Sequence, residues 1–318
     1  MPLAIDILGI TGPIYLVIAL GWWFTRRAMF RREDLQAFGR FTLNLALPAL
    51  LFNALSQRSV AEVLNLQYLL AYALSSLLVL GLGLFWARRV RGLDLTHSSV
   101  LAMGMSCPNS GFVGYPIMLL TLGPVAGVVL ALNMVVENLL IIPILLALAQ
   151  QGQAQHDGLR VFLRQTALGL LRNPLIWAIV LGFSSSLLGL SLPPPLARTV
   201  NLFAGACAVL SLFVIGGSLV GLQARGLLGQ VWPVALGKLL LHPLAMILVL
   251  TWLVPVQDPM LHTAAVLTAA LPMMGIYTVL SQRFGHGQMS AAAMLVTTTI
   301  SFFTLSALLF VMRQSGGL

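Results

Sequence analysis

Apolar residues along this chain neither alternate with polar ones nor recur only at every third or fourth position. They run together in long blocks separated by short polar connections. Ten blocks stand out, at residues 4–24, 36–56, 66–87, 97–121, 124–149, 173–190, 197–221, 231–253, 260–282 and 289–312. A helix needs about 20 mostly apolar residues to cross the hydrocarbon core of a bilayer. The pattern therefore predicts an all-α membrane protein of ten transmembrane helices. The connections hold turn formers such as Gln57-Arg58-Ser59 and Pro193-Pro194-Pro195, and none is long or polar enough for a second, soluble domain.

Two blocks are unusual. The fourth contains Cys107-Pro108-Asn109-Ser110-Gly111-Phe112-Val113-Gly114-Tyr115-Pro116, and the ninth contains Leu271-Pro272-Met273-Met274-Gly275-Ile276-Tyr277-Thr278. Each has a proline followed three residues later by glycine in the middle of an apolar span. Proline removes a backbone donor and clashes with the preceding turn, and glycine tolerates the dihedrals of a break. The two elements lie 164 residues apart, close to half the chain. Each falls in the fourth helix of a set of five. A five-helix unit starts and ends on opposite sides of the membrane, so its second copy enters upside down. The expected organisation is therefore a first five-helix repeat over residues 1–149, a cytoplasmic connecting loop over 150–172, and a second, inverted repeat over 173–318.

Charge sets the orientation. The chain is 59% hydrophobic and 8% charged, with net charge +9, whereas a water-soluble domain carries roughly a quarter charged residues. The basic residues cluster in short connections, which excludes a nucleic-acid surface and fits membrane topology. With the N-terminus outside, the inner connections receive Arg26, Arg27, Arg31, Arg32, Arg40, Arg88, Arg89, Arg91, Arg160, Arg164, Arg172, Arg225 and Arg283. The outer side receives only Arg58, Arg198 and Arg313. Both termini are thus expected in the periplasm. No Lys or Arg precedes the first block, so that block is expected to stay as a helix and not to act as a signal peptide. Cys107 and Cys207 both lie in apolar blocks, which leaves no disulfide framework and no metal cluster.

The chemistry of the breaks points to an anion. The second half of an interrupted helix begins with free N–H groups and a partial positive charge, and a carboxylate gains bonds there without a full cation nearby. The candidate substrate residues are Pro108, Asn109, Ser110 and Gly111 in the first break and Pro272, Met273, Met274, Gly275 and Tyr277 in the second. Only Glu137 and Lys238 place formal charge deep in the apolar blocks, at a cost of roughly 2.5–3.5 kcal/mol each on insertion scales. Asn133 and Asn138 accompany Glu137, and His242 follows Lys238 by one turn. Either Glu137 and Lys238 neutralise each other between helices, or Lys238 or His242 balances substrate charge while Glu137, with Asn133 and Asn138, holds a proton or sodium ion. His242 also reads as a neutral core residue. Asn44, Pro48 and Asn53 read as a kinked scaffold helix with interhelical hydrogen bonds, and His156 and Asp157 as solvated loop residues.

Enzyme readings find no support: no metalloprotease, Walker or nucleophile-elbow motif is present, and one buried carboxylate is too little for acid–base work. No resident cofactor is expected beyond coupling to H+ or Na+. The choice narrows to a carrier, with a passive anion channel or a membrane-embedded sensor as the other classes.

The chain resembles the bacterial branch of the auxin efflux carrier family. The resemblance rests on Gly12-Pro13-Ile14-Tyr15 with Leu20-Gly21-Trp22, Leu47-Pro48-Ala49-Leu50-Leu51-Phe52, Asn109 to Ile117, and Leu212 to Leu219, in that order over most of the chain. It implies a fold like that of bile-acid sodium symporters. Helices one, two, six and seven would form a scaffold, and the others a mobile core around crossing broken helices. It also implies a homodimer, elevator-type alternating access, and a substrate close to that of malonate transporters. Family members often carry an asparagine in the second break. Here that segment has no amide, which makes Asn109 the stronger candidate. The resulting expectation is malonate uptake across the inner (cytoplasmic) membrane, the alternative being export of a larger weakly acidic metabolite.

Overall fold

The computed structural model describes residues 2–58, 64–152, 164, 167–222 and 226–314. They form helices and connections, with no strand among them. In chain order the helices are α1 (Pro2–Arg26), α2 (Arg32–Ser56), α3 (Leu66–Val90), α4 (Leu95–Ser106), α5 (residues 110–122) and α6 (residues 126–151). Then follow α7 (Pro174–Leu187), α8 (Pro194–Ser218), α9 (Leu228–Trp252), α10 (Pro259–Ala270), α11 (Ile276–Gln282) and α12 (Gly287–Gln314). Most of the expected 150–172 loop, including His156, Asp157 and Arg160, lies outside the described residues, as does Arg225.

Among the described residues, six helical stretches are long and apolar enough to cross a membrane, and Pro174–Leu187 and Pro259–Ala270 are apolar but shorter. The ten expected blocks do not map one to one onto these. The blocks at 97–121 and 260–282 are each cut into two helices. The end of the first runs on into the following block, turned at Gly123 with φ 65°. Helix starts follow local chemistry. Asn65, Asp94, Asn173 and Asp258 each accept a backbone N–H from the first turn of α3, α4, α7 and α10, which satisfies donors that a helix leaves unpaired.

The interior is mainly apolar but also takes in polar side chains, while many large apolar side chains face outward. On α9, Leu236, Leu240 and Leu244 are exposed while Lys238 and His242 are fully buried. That distribution suits lipid, since water would favour the reverse.

Four prolines sit inside these helices behind a widened turn. Proline has no N–H, and its ring collides with the carbonyl four residues back. Here the residue before each proline bonds five residues back instead: Leu47 to Thr42, Tyr115 to Ser110, Ile142 to Glu137, and His242 to Gly237. Pro48, Pro116, Pro143 and Pro243 each follow at the same step. Single wide turns of this kind recur at functional sites, and three of them carry Ser110, Glu137 and Lys238.

Packing falls into two groups. Helices α1 and α8 lie against each other, as do α7 and the second half of α2, and α8 also packs on α2. In the other group α3 packs on α4, α4 on α6, α9 on α3 and α10, and α12 on α9 and α11. The α1–α8 contact is backbone on backbone. A Cβ on Gly216 would land on the Ile18 carbonyl oxygen, and one on Gly21 on that of Phe213. Small residues permit such approach in membranes. Gly216→Val is expected to cost roughly 1–3 kcal/mol through overpacking, read as a lower melting temperature in detergent. An unchanged melt would mean the two helices are not in contact there.

Candidate functional site

The two interruptions meet in space. Pro108 and Met273 pair as an isolated antiparallel bridge. Asn109 N donates to Pro272 O at 2.8 Å, and Met274 N donates to Cys107 O at 3.0 Å. Breaking a helix in a low-dielectric interior leaves backbone groups unpaired at a cost of several kcal/mol each. Here each break supplies the partner of the other.

Asn109 is the hinge of this arrangement. Its side-chain Oδ1 accepts from Phe112 N at 3.2 Å, and its carbonyl accepts from Gly114 N at 2.8 Å. Its amide nitrogen lies 4.0 Å from where a Cβ on Gly275 would sit, second to Ile215 Cδ1 at 3.8 Å, so Asn109 faces the second break. Ser110 and Asn109 are both buried.

Beneath the first break lies a buried polar network. Ser110 Oγ donates to Glu137 Oε1 at 2.5 Å, and Tyr72 OH donates to the same oxygen at 2.7 Å. Asn133, one turn before Glu137, accepts from Tyr68 OH at 2.8 Å and donates to Thr268 Oγ1 at 3.2 Å. Helices α3, α5, α6 and α10 are thereby joined through side chains alone. A narrow crevice bordered by Ser110, Tyr115, Asn133 and Leu271 adjoins the network.

Comparison with known proteins settles the family. The family described as "Membrane transport protein" (Mem_trans) matches residues 11–311. The chain belongs to this family. One relative, named "Putative malonate transporter", from Rhizobium meliloti, is 30% identical over 97% of each chain. "Uncharacterized transporter YfdV" of Escherichia coli K12 is 28% identical over 74% of this chain and 76% of its own. An "Uncharacterized transporter" of Methanothermobacter thermautotrophicus is 26% identical over 64% of this chain and 65% of its own. The resemblance to the auxin efflux carrier type is therefore borne out: this Mem_trans protein is a multi-pass membrane transporter and not an enzyme.

Within this transporter the sequence candidates separate. Pro108, Asn109, Ser110, Pro272, Met273 and Met274 lie in or beside the bridge. Gly111 turns towards Leu47 of α2. Tyr277 leads away: its hydroxyl lies 3.9 Å from Met289 Sδ, and a Cβ on Gly104 would touch it. Asn138 does not share the Glu137 face. It donates to Met134 O at 2.9 Å and accepts from Asn173 Nδ2 at 3.4 Å. Asn53 bonds Asn201 across α2 and α8 at 2.7 Å, as a scaffold residue would, while Asn44 donates to Arg40 O of its own helix.

Of the two readings of Glu137 and Lys238, direct pairing is not seen among the described residues. Glu137 takes hydroxyl donors. Lys238 donates to Ala269 O at 2.6 Å and contacts His242 Nδ1 at 2.9 Å. Sequence reasoning missed Tyr68, Tyr72, Ser76 and Thr268. The signal for the first two was there, as tyrosines one helical turn apart in an apolar block.

Proposed function

We propose that this protein is a secondary carrier of a small organic anion, with malonate as the first candidate, taken up across the cytoplasmic membrane by elevator-type alternating access. The observation that carries this reading is the meeting of two interrupted helices in one buried antiparallel bridge, with Asn109 between them. The name of the Rhizobium relative supports the choice of malonate.

In this reading α1, α2, α3, α4–α5 and α6 form one five-helix repeat, and α7, α8, α9, α10–α11 and α12 the inverted second, giving ten crossings with both termini in the periplasm. Arginine–tryptophan pairs support the orientation. Arg26 lies over Trp22 and Arg27 over Trp23 at the end of α1, and Arg91 lies over Trp86 at the end of α3, as anchors at a cytoplasmic interface do. The α1, α2, α7 and α8 group is the scaffold and dimer contact, and the other group moves. The substrate seat is the bridge region, Pro108 to Gly111 and Pro272 to Gly275. Glu137 with Asn133 is the ion seat.

The test is counterflow in proteoliposomes. Radiolabelled malonate is expected to enter saturably, to enter faster when unlabelled malonate is inside, and to be competed by other short dicarboxylates. Flux that rises linearly with concentration and ignores internal malonate would establish a channel. No malonate flux, with stabilisation of the purified protein by a bulkier weak acid, would favour the exporter.

A further inference from the structure

Lys238 is fully buried, and among the described residues no carboxylate is bonded to its Nζ. In its charged form a lysine has three donors and no acceptor, so His242 Nδ1, at 2.9 Å, then accepts. The imidazole proton then sits on Nε2, 3.3 Å from Ser76 Oγ on α3. The histidine is neutral, so it brings no negative charge. Glu137 spends its hydrogen bonds on Ser110 and Tyr72.

What faces the ammonium is a helix end. Ala269 is the last residue but one of α10, and its carbonyl is among the four that a helix leaves without an intrahelical partner. The aligned peptides of α10 also terminate there in partial negative charge. A carbonyl at the C-terminal end of an interrupted helix, deep in a bilayer, is the kind of ligand by which carriers hold a monovalent cation. In this chain that position is filled by Nζ at 2.6 Å.

We propose that the Lys238 ammonium is a built-in counter-ion seated where a free monovalent cation would bind at the end of α10, so that this end of the second break takes no sodium. It acts as a positioning residue. By holding the end of α10 against α9, and through His242 against α3, it keeps Pro272 to Met274 in register with Cys107 to Asn109. The wide turn at Gly237–Leu241 and Pro243 brings Lys238 and His242 onto this inner face. The inference extends the carrier reading, but its test needs no substrate.

The purified full-length protein carrying Glu137→Gln, which removes the variable charge of the proposed ion seat, is melted in detergent in choline, sodium or propylammonium chloride at equal ionic strength. With Lys238 intact this parent is expected to melt at one temperature in all three. Lys238→Ala, which removes the ammonium and its stem, is expected to melt several degrees lower in choline, to recover in propylammonium, and to recover in part in sodium. Lys238→Met keeps the volume without the charge and is expected to melt low in every salt, which separates charge from packing. The proposal is overturned by a Glu137→Gln parent that sodium raises above choline, by a Lys238→Ala in that parent that no cation raises, or by a Lys238→Met as stable as the parent. If Lys238→Ala cannot be purified folded, the parent comparison and Lys238→Met decide. Failure of malonate counterflow would leave these melts untouched, and the reverse also holds.

Discussion

Asn109→Ala is expected to weaken malonate binding by roughly 1–3 kcal/mol, a loss of about 5- to 150-fold in Kd. Two contributions must be separated. Asn109 Oδ1 caps the first turn of α5 through Phe112 N, and losing a cap costs about 0.5–2 kcal/mol of stability. Its amide nitrogen, turned towards Gly275, is the donor assigned to the carboxylate. Asn109→Ser keeps an oxygen for the cap but has no amide. It should therefore melt near the wild type yet bind malonate as weakly as the alanine variant. Titration of each purified variant with malonate, followed by its thermal shift, reads both quantities, because a ligand stabilises the state it binds. Wild-type affinity in Asn109→Ala would remove the bridge as the substrate seat.

Much of this fold was written in one dimension. Blocks of about 20 apolar residues have few solutions in lipid, and Pro108 and Pro272 each remove a donor where the span can least spare one. That the breaks bond to each other was not legible. The Asn109–Pro272 and Cys107–Met274 bonds depend on the backbone placement of residues 164 apart. The wide turns were half legible: Pro48, Pro116, Pro143 and Pro243 are visible in the sequence, but the shifted bonds before them are not. The polar site was less readable still. A tyrosine in an apolar helix looks like packing until its hydroxyl is seen, as with Tyr72 on Glu137. Asn138 shows the opposite error, since neighbours in sequence sit about 100° apart on a helix and face different partners. Which of the two readings of Glu137 and Lys238 holds was not legible for a related reason. Opposite charges in one membrane suggest each other, yet local hydroxyls and a helix-end carbonyl served each of them nearer at hand.

Those placements give the two breaks opposite electrostatic treatment. The positive start of α5 has a carboxylate close by, bonded through Ser110. The negative end of α10 has the Lys238 ammonium. Favourable charge at helix ends is worth up to about 2 kcal/mol in buried settings. A substrate anion entering the bridge would meet Glu137 across Ser110, so the state of that one carboxyl bears directly on how well an anion is held. Substrate and coupling ion would then be linked through a single hydroxyl, with no long-range path required.

Glu137→Gln is accordingly expected to abolish any dependence of malonate uptake on pH or on sodium. Glutamine retains an acceptor for Ser110 and Tyr72, so the network and the fold should survive, and only the variable charge is removed. In proteoliposomes the wild type should respond to an imposed proton or sodium gradient. The variant should exchange malonate for malonate but fail to accumulate it against a gradient, with a rate flat from mildly acid to mildly alkaline medium. Coupled carriers commonly gain 1–3 kcal/mol from such linkage between sites, about 5- to 150-fold in affinity, and that is the size of the response expected to vanish. Tyr72→Phe, which removes one donor and leaves the carboxyl, should shift the response without erasing it. Gradient-driven accumulation that persists in Glu137→Gln would make this carboxylate a strut between α3, α5 and α6, and the coupling ion would have to bind elsewhere.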